Sequence, residues 1–124
     1  MYRELNHPSD ICYELACDDL QEIFSDLIKI FKSCYSPELK NNFIKKEYPV
    51  QDPEDMVFDV VNDWIYTISA KKFFPDECKI SEKLICKFRK IENLYGTELK
   101  ALTYHGLQLR HQKGKIVLKV VFDV

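Results

Sequence analysis

Glycine is scarce in this sequence: there are three in 124 residues, isolated at Gly96, Gly106 and Gly114. That excludes a glycine-rich loop of the kind that cradles nucleotide phosphates. No nucleophile elbow, no HExxH helix motif and no zinc-ligand spacing occurs either, which argues against a catalytic machine. The five cysteines, Cys12, Cys17, Cys34, Cys78 and Cys86, include no CxxC pair and are odd in number. Cys12, Cys34 and Cys86 sit in apolar periodic runs, where cysteine behaves as a small buried hydrophobe. This usage suits a reducing cytoplasm better than a disulfide framework. No apolar stretch approaches the roughly 20 residues that span a bilayer, and MYRELNHPSD lacks the apolar core of a secretory signal. Few glycines and five prolines leave little room for linkers, so residues 1–124 read as a single domain.

What is present is a chain that is 46% hydrophobic and 31% charged, an ordinary globular balance. The net charge of −2 hides an asymmetry. Residues 1–82 carry 9 Lys+Arg against 17 Asp+Glu, while residues 83–124 carry 9 against 3. Such a split can steer partners of either sign, unless the two halves interleave in space and the field averages out.

Periodicity predicts a short strand at 2–6, a turn at His7-Pro8-Ser9-Asp10, and a strand from Ile11 to Leu15. Asp18 is placed to cap a helix, with Gln21 three residues on. Leu20, Ile23, Phe24, Leu27, Ile28 and Phe31 then keep helical spacing to an end near Tyr35-Ser36-Pro37. A strand follows at about 42–50. Asp52 and Pro53 open a second helix, whose stripe is Met56, Val57, Val60, Val61, Trp64, Ile65 and Ile68, ending near Lys71-Lys72. The remainder reads as sheet: 83–91, 97–104 and 107–111, with Gly106 a bulge, a hairpin turn at His111-Gln112-Lys113-Gly114, and a last strand Ile116–Phe122. The predicted fold is α+β, with two helices packed on one face of a mixed, largely antiparallel sheet.

Two acidic positions stand out. Asp10 lies in a turn between two strands, and Asp123 follows the last strand, one residue before Val124. A hard divalent cation takes carboxylate, carbonyl and water oxygens, and Asp123 with the carboxylate and carbonyl oxygens of Val124 concentrates such donors. Asp10 completes the set if the first and last strands are neighbours. The ordinary alternative is that a turn aspartate is a cap or a solvated loop residue. His7 and His105 flank sharp backbone features and are candidates to orient those carboxylates through hydrogen bonds. His111 reads as a solvated turn residue. Lys100, alternating with Leu99 and Ala101, is either a solubilising surface lysine or a contact for phosphate or an acidic partner. Lys87, Arg89 and Lys119 form a candidate electrostatic footprint for RNA, but aromatic interleaving there is thin, with Phe88 the clear case, which does not favour direct single-strand binding.

Several segments together resemble the archease family. Asn6-His7-Pro8-Ser9-Asp10-Ile11 is similar to the family's N-terminal motif at His7, Asp10 and Ile11, departing from it at Asn6, Pro8 and Ser9. Gly96-Thr97-Glu98-Leu99-Lys100-Ala101-Leu102-Thr103-Tyr104-His105-Gly106-Leu107 resembles its most distinctive stretch. Val120-Val121-Phe122-Asp123-Val124 resembles its C-terminal motif. Asp52–Ile68, with Asn62-Asp63-Trp64, resembles its acid-capped helix. The resemblance spans the whole chain in order.

It implies a small cytoplasmic α+β protein, not an enzyme, that activates the RtcB-type RNA-splicing ligase. In that role it promotes ligase guanylylation and multiple turnover in tRNA splicing. It further implies metal ligation by Asp10, Asp123 and the main-chain oxygen of Val124, by calcium or by magnesium or manganese, and a functionally important Lys100. Pro8 fixes its own φ and removes a backbone donor beside this site. An alternative reading is an RNA-binding modulator of a tRNA-modifying enzyme, such as a tRNA methyltransferase. A metal-dependent hydrolase is a third, disfavoured by the missing base and nucleophile.

Overall fold

Helix α1 (Leu20–Tyr35) starts one residue later than the sequence suggests. Asp19, not Asp18, is the cap: it is in extended backbone and its Oδ1 accepts from the Glu22 N–H at 2.9 Å. The Glu22 carboxylate reaches back to accept from the N–H of Asp18, one residue before the cap, at 2.6 Å, so Glu22 rather than Gln21 completes the helix start. Gln21 is thereby released for a tertiary role. Its amide donates to the Cys78 carbonyl at 2.8 Å and accepts from the Ile80 N–H at 2.9 Å, pinning α1 to a strand. The helix stops at Ser36, which is left-handed at φ 46° and donates its N–H to the Lys32 carbonyl.

The computed structural model describes residues 1–5 and 10–124. The predicted turn at His7-Pro8-Ser9 lies outside those residues. The other elements are β1 (Tyr2–Leu5), β2 (Ile11–Cys17), β3 (Pro37–Pro49), α2 (Pro53–Tyr66), β4 (Phe73–Ile80), β5 (Lys83–Leu94), β6 (Ala101–Leu102), β7 (Gln108–Gln112) and β8 (Lys115–Asp123). A π-helical turn, Thr67–Lys71, carries α2 to a left-handed Lys72. Asp52 opens α2 as expected, but its side chain makes no capping hydrogen bond. Among the described residues, no helix is long and apolar enough to cross a membrane.

The α+β class is as expected, with two helices and largely antiparallel strands. The strands divide between two sheets rather than one. The five-stranded sheet runs β1-β2-β8-β6, with β7 also on β8, and the three-stranded sheet runs β3-β5-β4. Every ladder among the described residues is antiparallel. Strand β4 was not foreseen. Pro75 and Asp76 interrupt its alternation, and the structure accommodates them with a register shift between Pro75 and Glu77.

One core joins the layers. Phe31 of α1 packs edge-on against Trp64 of α2 at 5.2 Å, Phe122 of β8 at 5.9 Å and Phe74 of β4 at 6.5 Å. Both predicted helical stripes, apart from half-buried Leu20, and the even-numbered face of β8 (Leu118, Val120, Phe122) are buried in it. Asp26 is buried at its edge, where a bare carboxylate would be costly. It accepts from the Met1 ammonium at 2.5 Å and from the Cys17 thiol at 3.5 Å. Burial, and then Asp26, push that thiol up to about 12.

The cysteine expectation needs correction. Cys86 is buried as foreseen, but it is bonded to Cys78, its direct cross-strand neighbour in the β4–β5 ladder. A local hairpin places two sulfurs together without any sequence framework. Cys12, Cys17 and Cys34 are free.

Candidate functional site at the end of the β2–β8 ladder

In the β2–β8 ladder Ile11 pairs with Phe122. Asp10 immediately precedes Ile11, and Asp123 immediately follows Phe122. The two aspartates therefore leave the same end of one antiparallel pair on adjacent strands, although 112 positions separate them in the chain. Val124 comes next and is exposed. Like charges set side by side across a ladder repel, and a cation between them offsets that repulsion. Asp10 is half-buried and Asp123 is exposed.

Strand β6 flanks Asp123 on the other side. Ala101 pairs with Asp123 and Leu102 with Phe122. The Lys100 N–H donates to the Asp123 carbonyl at 2.8 Å, so that oxygen is engaged and the next main-chain oxygen available at this end is that of Val124. Lys100 thus stands beside Asp123 and Val124, with its own side chain exposed while Leu99 is fully buried. The side chains of Lys100, Glu98, Asn62 and Tyr66 help line a shallow groove of about 310 Å³ along α2.

This short strand is strapped in place almost entirely through its backbone. Asn62 of α2 clamps Leu102, accepting its N–H at 2.9 Å and donating to its carbonyl at 3.3 Å. Buried Tyr35 donates its hydroxyl to the Leu99 carbonyl at 3.1 Å. The N–H groups of Tyr95, Gly96 and Thr97 donate to the carbonyls of Ser36, Tyr35 and Cys34, satisfying acceptors that a helix C-terminus leaves open. The approach at Gly96 is so close that a Cβ would lie 2.0 Å from the Cys34 carbonyl oxygen. Gly106 is not a bulge. It lies in a turn closed by the Leu107 N–H on the Tyr104 carbonyl, and a Cβ there would sit 2.6 Å from the Val121 side chain.

The other candidates fare differently. His7 lies outside the described residues. His105 is exposed in the turn beside Gly106, and His111 is exposed next to the β7–β8 hairpin, where Lys113 (φ 52°) and Gly114 (φ 78°) make a two-residue turn. Lys119 does not join Lys87 and Arg89. It pairs with Glu14 on the outer face of the five-stranded sheet, whereas the other two lie on β5. Phe88 is fully buried and offers no stacking surface. Cys12, near Asp10, is buried, and burial raises its thiol above the usual range while Lys119 opposes and Glu14 and Asp10 add to the rise. It is therefore a packing residue rather than a thiolate. Among the described residues, no group of three or more His, Cys, Asp or Glu side chains could hold a metal ion. The candidate set is two carboxylates supplemented by a main-chain oxygen, a donor mix that fits calcium, magnesium or manganese better than zinc.

Sequence reasoning missed Asn62, Tyr35 and Gly96 as positioning residues. The isolated glycines were the available signal, since a glycine outside any turn motif marks a close backbone approach.

Comparison with known proteins adds three findings. A model of the archease protein family matches residues 2–124. An archease of Thermotoga maritima is 37% identical over 99% of each chain, and one of Danio rerio is 25% identical over 99% of this chain and 85% of that one. A crystal structure from Thermotoga maritima, described as an archease and possible chaperone, superposes with a TM-score of 0.87 at 37% identity, covering 100% of this chain and 98% of that one.

Proposed function

Because this chain belongs to the archease family, we propose that it is a non-enzymatic activator of an RtcB-type RNA-splicing ligase in the cytoplasm, promoting ligase guanylylation and repeated turnover in tRNA splicing. The observation that carries the reading is the meeting of Asp10, Asp123, Val124 and Lys100 at one end of the five-stranded sheet. Asp10 and Asp123 would hold a divalent ion through their carboxylates, and Val124 through its main-chain oxygen. Once bound, that ion would supply positive charge that neutralises and orients nucleotide phosphates at the partner's site.

The chain's own residues have separable tasks. The two carboxylates bind and give the site its preference for hard cations. Lys100, whose N–H is held by the Asp123 carbonyl, offers its exposed ammonium to a phosphate or an acidic partner surface. Asn62 and Tyr35 fix the strand that carries Lys100. No bond in the ligation is made or broken by this protein. It either orients the ion or favours a guanylylation-competent state of the ligase.

The test is a guanylylation assay with purified ligase, GTP and divalent ion, with and without this protein. Wild type is expected to raise the guanylylated fraction under multiple-turnover conditions. Asp10→Ala and Asp123→Ala are expected to abolish the effect while circular dichroism stays unchanged. Full activation by both variants would remove the ion-centred proposal.

A further inference from the structure

The outer face of the three-stranded sheet has a composition that the ligase reading leaves unused. Strand alternation sends Leu84, Cys86 and Phe88 of β5 into the core and Lys83, Ile85, Lys87 and Arg89 to the outside. On that face β3 contributes Phe43, Lys45 and Glu47, and β4 contributes Glu77 and Lys79. Four lysines thus meet two glutamates, and the Arg89 guanidinium is engaged with the Lys40 carbonyl at 2.9 Å. The glutamates neutralise only part of this. Lys83 approaches Glu47 at 3.5 Å and Lys79 approaches Glu77 at 3.7 Å.

Two features distinguish the face from an ordinary solvated one. Lys45 and Lys87 are direct cross-strand partners. Like charges in that position cost stability, and Glu77, opposite Lys87 on its other side, offsets that cost only in part. Phe43 is 53% exposed and Ile85 38% exposed beside them, with the Lys87 ammonium 4.6 Å from the Phe43 ring centroid. Phe43, Lys45, Glu77, Lys79, Ile85 and Lys87 surround a shallow depression of about 330 Å³. Cations at alternate positions around an exposed aromatic ring form the arrangement that binds single strands: the lysines track phosphates and the ring stacks a base.

We propose that this face, centred on Phe43, Lys45 and Lys87, binds single-stranded RNA. The choice of RNA over DNA rests on the proposed function; the face itself does not. An acidic protein is the competing occupant. It would use the lysines equally but has no need of an exposed Phe43. The site lies on a different sheet from Asp10 and Asp123, so the two are separable by mutation.

The experiment uses the full chain alone, without ligase or metal, and a fluorescein-labelled oligouridine of about a dozen nucleotides. Anisotropy titrations are run across a series of salt concentrations. Wild type is expected to bind with an affinity that falls as salt rises. Phe43→Ala is expected to lose about tenfold in affinity. The double variant K45E/K87E is expected to lose more than about tenfold. Lys113→Glu, at the tip of the β7–β8 hairpin, is expected to leave binding unchanged. The single change Lys45→Glu replaces a repelling pair by an attracting one. It is expected to raise the thermal midpoint while weakening RNA binding, a combination that a merely structural role cannot give. Unchanged binding in K45E/K87E overturns the proposal. So does a Phe43→Ala variant that binds normally while polyglutamate competes as well as RNA, which identifies an acidic-protein surface. Failure of the ligase assay leaves these outcomes untouched, because neither ligase nor ion is present.

Discussion

The two sheets use the same antiparallel ladder for opposite ends. The five-stranded sheet gathers acidic groups at a strand end, where register decides which residues meet. The three-stranded sheet displays basic groups across a face, where side-chain alternation decides it. In the first, residues with 112 others between them become neighbours through the β2–β8 pairing. In the second, the partners lie on β3, β4 and β5 and are held by a local disulfide-bonded hairpin. Acidic and basic chain halves do interleave in space, since β8 lies against β2 and β5 between β3 and β4. Even so, two carboxylates share one end of one sheet, and four lysines meet two glutamates on one face of the other.

If this division is correct, damage to one sheet should spare the other's binding function. The largest effect is expected at Gly96, where any side chain meets the Cys34 carbonyl oxygen. Gly96→Val should lower unfolding free energy by about 3 kcal/mol in a denaturant titration. It should also weaken divalent-ion binding, because the strap carrying Lys100 is displaced.

Removing the Cys78–Cys86 bond, as Cys78→Ser with Cys86→Ala, should cost about 2 kcal/mol. That loss is expected to leave ion binding intact, and an ion affinity that fell with it would break the separation of the sheets. Asn62→Ala removes both hydrogen bonds to Leu102 and should cost about 1–2 kcal/mol. Hydrogen exchange is expected to show the loss concentrated in residues 99–103, with β3, β4 and β5 unaffected.

The smallest effect concerns Glu14. Hydrogen bonding to Arg3, and then the Arg110 contact, hold its carboxyl below the usual carboxylate range. Its stabilising contribution is therefore present above the unfolded-state pKa and is lost as pH falls through the lowered folded value. Glu14→Gln should flatten the acid limb of a stability–pH curve slightly while leaving stability near neutral pH a few tenths of a kcal/mol lower, as befits surface pairs.

The helices and most strands were legible in the sequence because burial imposes a period. Every apolar position of the α2 stripe, from Met56 to Ile68, is buried. Boundaries set by competition between neighbouring residues were less legible. Asp18 and Asp19 are of the same capping residue type, and the structure uses Asp19, with Glu22 three positions on, while Gln21 bonds to β4 instead. The division into two sheets was not visible, because alternation reports which face is buried and says nothing about which strand lies beside it. The same limit applied to Lys119, which shares a basic pattern with Lys87 and Arg89 but belongs to the other sheet. Phe88 fits the alternation of β5 as an inward residue, while Phe43, whose exposure matters, gave no signal of its own. Asp10, Asp123 and Lys100 stood out from their positions in the chain, family likeness implied their roles, and the ladder then supplied what spacing could not, a common location.

The central claim, that Asp10 and Asp123 share one divalent cation with the Val124 main-chain oxygen, is tested most directly by titration calorimetry of the protein alone with calcium, magnesium and manganese. One ion per chain is expected for wild type, with binding abolished in both Asp10→Asn and Asp123→Asn, and preserved in K45E/K87E. Wild-type affinity retained by either asparagine variant would contradict the claim.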